Sequence, residues 1–492
     1  MAHLLGIDLG TGGARAILVE AASGRVVAGA SAEYPLHTPR PLWAEQDPHD
    51  WWRGAVAAVR GALAAAPGRI EVRGIGLSGQ MHGVVLLDQA GEVTGPALLW
   101  CDGRTGAECE EITQRAGGEE RLLELCCNPA LTGFSAPKLL WLRRHDPEAF
   151  GRARSFLLPK DYLRYRLTGA RASEVSDASG TLLFDVARRS WSTALLEILE
   201  LDPALLPVVR ESQEVSGALT AAAAAELGLP AGIPVVGGGG DQAAGAVGAG
   251  IVRPGLVSAT IGSSGVVFAH ASGPARDRRV HSFCHAVPGA WHLMGVTQAA
   301  GLSLRWLRDR LGGESYDQLT AEAAAVPAGS DGLLFTPYLM GERTPVLDPD
   351  ARGTWFGLTY AHGRGHLVRS VMEGVAYSLR DCLDVMTSLG VEASEVRAAG
   401  GGARSRLWRQ ILADVLDRPI ATLGLDEGPA YGAALLAGAG TGAWSSVEEA
   451  ADLVTVASRV EPDAAAAALH RERHAIYREI HHRVAPLYRR VM

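Results

Sequence analysis

His3-Leu4-Leu5-Gly6-Ile7-Asp8-Leu9-Gly10-Thr11-Gly12-Gly13-Ala14-Arg15-Ala16-Ile17-Leu18-Val19-Glu20 opens the chain. Leu4, Leu5 and Ile7 precede a Gly/Thr turn, and Ala16, Ile17, Leu18 and Val19 follow it, which is the pattern of strand, turn, strand. Asp8 falls at the end of the first strand, beside the turn. The same syntax returns downstream. Leu256, Val257 and Ile261 precede Gly262-Ser263-Ser264-Gly265, and Val266, Val267 and Phe268 follow. Two such units roughly half a chain apart suggest two related halves. Either turn alone reads as an ordinary hairpin. As a pair, each behind an apolar strand, they can cradle phosphates: small residues let backbone N–H groups approach oxygens, and Thr11, Ser263 and Ser264 add hydroxyls.

Around these hairpins the pattern alternates between helix and strand, which implies an α/β protein. Helical spacing runs over Asp50–Ala65 after a turn at Asp47-Pro48, over Leu367–Leu389, over Leu407–Leu416 behind Gly400-Gly401-Gly402, and through a charged terminal region, Ala464–Met492. The Pro- and Gly-rich passage Leu229–Gly240 is a natural place for a change of domain. A chain of 492 residues exceeds one ordinary core, so two domains are expected, 1–245 and 246–492.

Composition narrows the function. A hydrophobic content of 47% with 20% charged residues is that of a globular chain. A net charge of -8 argues against a general nucleic-acid-binding surface. The six cysteines form no CxxC pair, neither a disulfide framework nor a zinc pattern. With no basic leader and no unbroken apolar span, a soluble, cytoplasmic protein without membrane contact is expected. Lys138 and Lys160 are the only lysines, and neither follows glycine. A P-loop needs Gly-Lys-Ser/Thr, so any ATP chemistry here does not use one.

Two further segments carry candidate chemistry. Asp241 ends Gly237-Gly238-Gly239-Gly240-Asp241, between an apolar strand, Pro234–Val236, and a small-residue helix, Gln242–Val247. A carboxylate there can accept a proton from a hydroxyl or simply cap the helix, and the four glycines tilt the balance toward function. Gly74-Ile75-Gly76-Leu77-Ser78-Gly79 matches the dinucleotide fingerprint, but that motif must open a helix. Here Gln80-Met81-His82-Gly83 leads into another strand-like run, Val84–Asp88, so an oxidoreductase is discounted. Gln80-Met81-His82 can face a ligand or form a plain loop. No G-x-S-x-G elbow marks a hydrolase. His281, His285 and His292 lack metal-ligand spacing and read as core or solvated histidines.

Taken in order, these segments resemble the FGGY carbohydrate kinases along nearly the full length. Gly6–Thr11 is similar to the family's first phosphate motif, and Trp43-Ala44-Glu45-Gln46-Asp47-Pro48 to its early loop. Gly133–Trp141 with Lys160-Asp161-Tyr162 fits one signature, and Gly353–Glu373 fits a second. Gly239-Gly240-Asp241, Gly341-Glu342-Arg343-Thr344-Pro345 and Gly400–Ser405 are also similar. The resemblance implies two ribonuclease-H-like domains of the actin-like ATPase fold around a central cleft.

It also implies ATP and Mg²⁺. By the same resemblance Asp241 is the base, Asp8 the metal ligand, and Thr11, Gly12, Gly13, Arg15, Gly262, Ser263 and Ser264 the phosphate contacts. Gly401, Gly402 and Ala403 leave room for adenosine. Met81, His82, Asp241 and Gln242 meet the sugar. Gly79–Gly83 resembles the segment of members acting on D-xylulose, so its 5-hydroxyl is the expected acceptor. Gln242 stands where many of those members have Asn, and Asp-Gln is familiar from glycerol kinases. Those, however, carry Arg-Glu in place of Met81-His82. Another ketose, polyol or sugar acid (ribulose, glycerol, gluconate) is the alternative, and a non-catalytic sugar or nucleotide sensor a remote one. A homodimer is common among relatives.

Overall fold

A computed structural model describes residues 1–424 and 427–491, so Met492, the end of the expected terminal helix, lies outside the described residues. Two seven-stranded sheets dominate. The first is built from β1 (Ala2–Leu9), β2 (Gly13–Glu20), β3 (Val26–Glu33), β4 (Glu71–Gly79), β5 (Val215–Ala218), β6 (Pro234–Val236) and the short β7 (Gly239–Gly240). Its order is β5-β6-β4-β1-β2-β3, with β7 also pairing β4. The second holds β8 (Gly255–Ile261), β9 (Gly265–Ala271), β10 (His281–Cys284), β11 (Trp291–Thr297), β12 (Ala393–Ala399), β13 (Ile420–Leu423) and β14 (Val456–Val460), in the order β10-β11-β9-β8-β12-β13-β14.

The two opening hairpins sit at equivalent places in these sheets. β1 runs antiparallel to β2 and parallel to β4, and β2 is antiparallel to β3. β8 runs antiparallel to β9 and parallel to β12, and β9 is antiparallel to β11. The order β3-β2-β1-β4-β6 is thus repeated as β11-β9-β8-β12-β13, which is the duplication expected from the two Gly-rich turns. β1 is central and covered on both faces, so it reads as a nearly continuous apolar run with Leu4, Leu5, Ile7 and Leu9 fully buried.

Helix α1 (Pro48–Ala65) starts where Asp47 accepts from His49 N with Pro at the first helical position, and it packs on β2 and β3. α2 (Pro159–Thr168) lies against β4. α3 (Asp241–Gly248) follows β7 directly. Further helices include α4 (Arg364–Ser388), α5 (Arg406–Leu416), α6 (Gly428–Gly440) and α7 (Ala464–Val491). Among the described residues no helix is long and apolar enough to cross a membrane. All six cysteines are free thiols. The fingerprint-like glycines, Gly74 to Gly79, lie inside strand β4 rather than at a helix start, which removes the dinucleotide reading.

One expectation is corrected. The Leu229–Gly240 passage does not separate the domains, because β6 and β7 within it pair with β4 of the first sheet. The chain leaves that sheet only through α3. Its glycines serve backbone approach instead: Gly238 has φ +73°, and a Cβ there would collide with Leu77 O.

The halves are joined by a seam of backbone contacts. α6 lies between β13 and β14 of the second sheet in sequence, yet it packs on β1, β4 and α3. A Cβ on Gly6 would overlap Ala430 O, one on Gly76 would overlap Ala433 O, and one on Gly432 would overlap Ala244 O. Around the seam, Leu4 and Val236 of the first sheet and Ala243 and Val247 of α3 share a core with Ala430, Tyr431, Ala434 and Leu435 of α6. Gly432→Ala is therefore expected to destabilise the fold by about 3 kcal/mol or more, since backbone has no rotamer with which to yield. Gly245→Ala, whose Cβ would meet only Pro429 Cγ at 3.6 Å, should be neutral or stabilising by about 0.5–1 kcal/mol. Equilibrium unfolding of the two variants separates packing at the seam from helix propensity.

Candidate active site

Three neighbouring strands end at one place. Asp8 on β1 stands opposite Ser78 on β4, and Ser78 stands opposite Gly239 on β7, one residue before Gly240 and two before Asp241. Strand register thus gathers Asp8 and Asp241 at the floor of the cleft. Burial raises the Asp8 carboxyl to about 6, against the pull of the Ser78 hydroxyl and the Arg15 charge. Burial, then the neighbouring Asp8 charge, raises Asp241 to about 7, against the Gln242 backbone N–H and side chain. Asp241 Oδ1 accepts from Gln242 N at 2.8 Å, so the carboxylate does brace the first turn of α3 as well. Asp8 Oδ1 is buried and meets no hydrogen-bond partner.

Met81 and His82 form the wall beside Asp241. Met81 is buried and its side chain covers Gly240, where a Cβ would strike its Cγ and Sδ at 2.8 Å. His82 is held in a left-handed backbone conformation, φ +69°. Its Nδ1 lies 2.6 Å from Gly180 O, and its ring packs edge-on to Phe134 at 5.0 Å. Burial keeps the imidazole neutral, with a pKa near 3. Nδ1–H donates to the carbonyl, so Nε2 is left as an acceptor. Phe134 also meets His281 at 5.8 Å, which brings β10 of the second sheet to this wall. His285 and His292 are buried core residues, as expected.

The first hairpin turn is tied to the segment Gln80–His82. Gln46 Nε2 donates to Thr11 O at 2.7 Å, and Gln80 Nε2 donates to Gln46 Oε1 at 2.9 Å. Thr11 Oγ1 donates to Gln80 Oε1 and accepts from Trp100 Nε1. Its hydroxyl is therefore engaged within the protein. Gly12 has open space at its α-carbon, and Gly13 is packed against Ala32 O. Arg15 donates from Nε to Glu427 at 2.9 Å, an ion pair reaching across from the start of α6.

Both lysines are buried beneath this region. Lys138 Nζ donates to Phe134 O at 3.0 Å and to Gly133 O, and lies 3.5 Å from His82 O. Lys160 Nζ lies 2.6 Å from Asp161, 3.5 Å from Asp177 and 3.7 Å from Glu174, all fully buried. Arg164 pairs with Asp161 and donates to Gly237 O. Glu174 accepts from Ser176 Oγ at 2.8 Å, and Gly240 N donates to that same oxygen. The network therefore grips both ends of the loop that delivers Asp241. The motif Lys160-Asp161-Tyr162 marked its location, whereas nothing in the spacing marked Glu174 or Asp177.

On the other side of the cleft is a cavity of about 780 Å³, a size suited to a nucleotide. Gly262 and Ser263 line one end and Gly401 and Gly402 another, with Arg305, Tyr316 and Trp408 between. Ser263 O is bound by Ala300 N and Leu302 N. Ser264 is exposed beside it. Ala403 is buried behind the wall, its carbonyl held by Arg409. Gly402 is required by contact with Ile261 and Trp408, while Gly401 has free space. Arg305, Tyr316 and Trp408 had no sequence signal beyond following glycine-rich turns.

Residues 3–248 match the N-terminal domain of the FGGY family of carbohydrate kinases, and residues 257–441 match its C-terminal domain. The chain belongs to this family. A protein named xylulose kinase from Escherichia coli (strain K12) is 42% identical over 98% of this chain and 99% of its own. One of the same name from Bacillus subtilis (strain 168) is 40% identical over 92% and 91%. The crystal structure of xylulose kinase from Rhodospirillum rubrum aligns with TM-score 0.93 at 36% identity, covering 99% of this chain and all of that one. Sugar kinases of this kind have the actin-like ATPase fold, and the two matched sheets described above are its two halves. As a member of a carbohydrate kinase family the chain is an enzyme whose substrates are a sugar and ATP.

The unfolded pKa of Asp241 lies near 3.9, and its folded value is about 7. Between these values the folded state binds the proton more tightly, so ionising Asp241 lowers stability as pH rises through that window. Asp241→Asn should consequently melt at a higher temperature than the parent at pH 8, and the gain should vanish near pH 4. A gain independent of pH in thermal melts would contradict this account.

Proposed function

We propose that this kinase transfers the γ-phosphoryl group of ATP to the 5-hydroxyl of D-xylulose, giving D-xylulose 5-phosphate in xylose catabolism. The observation that carries the reading is the pair Asp8 and Asp241 at the cleft floor, walled by Met81 and neutral His82, between the sheets that carry the two glycine-rich turns. The full-length similarity to proteins named xylulose kinase supports the choice of sugar.

In the proposed step Asp241 accepts the hydroxyl proton as the sugar oxygen attacks the γ-phosphorus. The new O–P bond forms, the bond to the β-phosphate oxygen breaks, and ADP leaves with the electron pair. A base poised near neutrality suits such a transfer, worth about 10²–10⁴ in rate. His82 Nε2 accepts from a sugar hydroxyl, and Met81 covers the apolar edge of the carbon chain. Gln242 orients the Asp241 carboxylate. Open α-carbons at Gly12 and Gly401, with Gly262 and Ser263 at the cavity end, leave backbone N–H groups free to approach phosphates. Thr11, Gly13, Ser264, Gly402 and Ala403 shape those loops. Arg15 reaches phosphate only by leaving Glu427. The unpartnered Asp8 Oδ1 fits a hydrated Mg²⁺ ion, whose charge would offset that developing on the phosphates. The two jaws are residues 1–245 and 246–492, dividing within α3, and the enzyme works in the cytoplasm.

Coupled ADP release over xylulose, ribulose, glycerol and gluconate tests the substrate: xylulose should have the highest kcat/KM. Asp241→Asn should lower kcat by at least about 100-fold with xylulose binding retained. Because the base must be ionised, kcat/KM of the parent should fall about tenfold per unit below pH 7. A glycerol or gluconate preference would overturn the choice of sugar, and turnover within a few-fold in Asp241→Asn would remove Asp241 as the base.

A further inference from the structure

Arg343 belongs to the segment Gly341-Glu342-Arg343-Thr344-Pro345, for which neither the hairpins nor the wall beside Asp241 gives a role. Its neighbour Glu342 is a buried anchor. Glu342 accepts from Thr297 Oγ1 at 2.6 Å, Gln298 N at 3.0 Å and Arg343 N at 2.7 Å. Thr344 N donates to Val296 O at 3.0 Å. Val296 and Thr297 end β11, and Thr297 pairs with Gly265, the residue that closes the second glycine-rich turn. Arg343 is thereby clamped from both sides next to Gly262–Gly265. Its other flank is the sugar wall: Val296 shares a hydrophobic cluster with Met81, Phe134 and Phe283.

The guanidinium itself makes no hydrogen bond or ion pair among the described residues. That sets it apart from Arg15, Arg104, Arg164 and Arg279, each committed to a carboxylate. Arg343 stays accessible in the cleft. Its charge reaches both His82 and His281. A planar fork of donors, fixed at its backbone and unpaired at its tip, is built to receive an anion.

Resting on the kinase reading above, we propose that Arg343 is a further catalytic residue: its guanidinium contacts the phosphoryl group in flight between ATP and the sugar, neutralising the equatorial oxygens. It neither gives nor takes a proton, and its pull is greatest where charge is spread over three oxygens.

The test compares Arg343→Gln and Arg343→Lys with the parent, using the best acceptor of the four-sugar panel. That panel alone decides the substrate, so a failed xylulose assignment is distinguishable from a failed role for Arg343. Arg343→Gln should lose about 100- to 1,000-fold in kcat, the range for removing one transition-state donor, with KM for both substrates within about three-fold and an unchanged melting temperature. Arg343→Lys should recover part of the loss, since charge persists without the fork. Titration with ADP, aluminium fluoride and sugar, a mimic of the transferring group, should show affinity falling by a similar factor while ADP alone binds as before. A kcat within three-fold of the parent would overturn the proposal. So would a loss confined to KM for the sugar, which would make Arg343 a sugar contact.

Discussion

Everything at the cleft floor depends on two helices touching at backbone distance. α3 and α6 meet where Gly432 faces Ala244 O and Gly248 faces Gly428 O, and α6 lies on β1 and β4 through Gly6 and Gly76. No side chain larger than hydrogen fits at these points. The consequence reaches function directly, because α3 begins with Asp241 and Asp8 is the penultimate residue of β1. Fixing helix against strand fixes one carboxylate against the other. α6 also carries the second half's contribution, since Glu427 at its start meets Arg15 on β2. A seam of this kind gives position without bulk, and so leaves the cleft above it open for two substrates.

Holding two carboxylates together costs stability, and the surroundings offset only part of it. Beneath Asp241, two cations, Lys160 and Arg164, face three carboxyls, Asp161, Glu174 and Asp177. Burial opposes ionisation of Asp161, but Lys160 and Arg164 outweigh it and hold its carboxyl below the ordinary value. Asp177 is less well compensated, because the pull of Lys160 on it does not prevail. Burial raises it well above the usual range, and the neighbouring Asp161, Glu174 and Asp241 charges add to the rise. The carboxyls outnumber the cations here, and the Asp177 carboxyl oxygens meet no hydrogen-bond partner. The service of the network is rigidity: it holds Gly237 and Gly240, the two ends of the loop before Asp241.

Much of this was legible in the chain. The two strand–turn–strand units marked the two sheets, and the sheets share one strand order. The glycines of Gly74–Gly79 were rightly kept from a dinucleotide reading by the strand-like run after them. Asp8 and Asp241 stood out because each ends an apolar strand beside small residues. The remainder depended on partners far away in sequence. Arg15, a phosphate contact by resemblance, holds Glu427, 412 residues on, a partner that sequence spacing could not show. The Thr11 hydroxyl looked free until Gln80 and Trp100 engaged it. Leu229–Gly240 looked like a linker because its glycines and prolines signal turns. Here those glycines let β6 and β7 pass close to β4.

The raised pKa of Asp241 is best understood as the meeting of these constraints. A carboxylate at its ordinary value would be fully ionised at neutral pH but a weak base toward an alcohol. Burial and Asp8 move it to about 7, which strengthens the base and still leaves about half of it ionised at that pH. Moving it further would leave too little in the ionised form. Gln242 acts against that excess, since its backbone N–H at 2.8 Å stabilises the charged form. The helix start adds to this, because the positive end of α3 favours a carboxylate. Desolvation and one neighbouring charge on one side, and a helix N-terminus on the other, set Asp241 where the proposed proton transfer needs it, and the glycine seam keeps both sides in place.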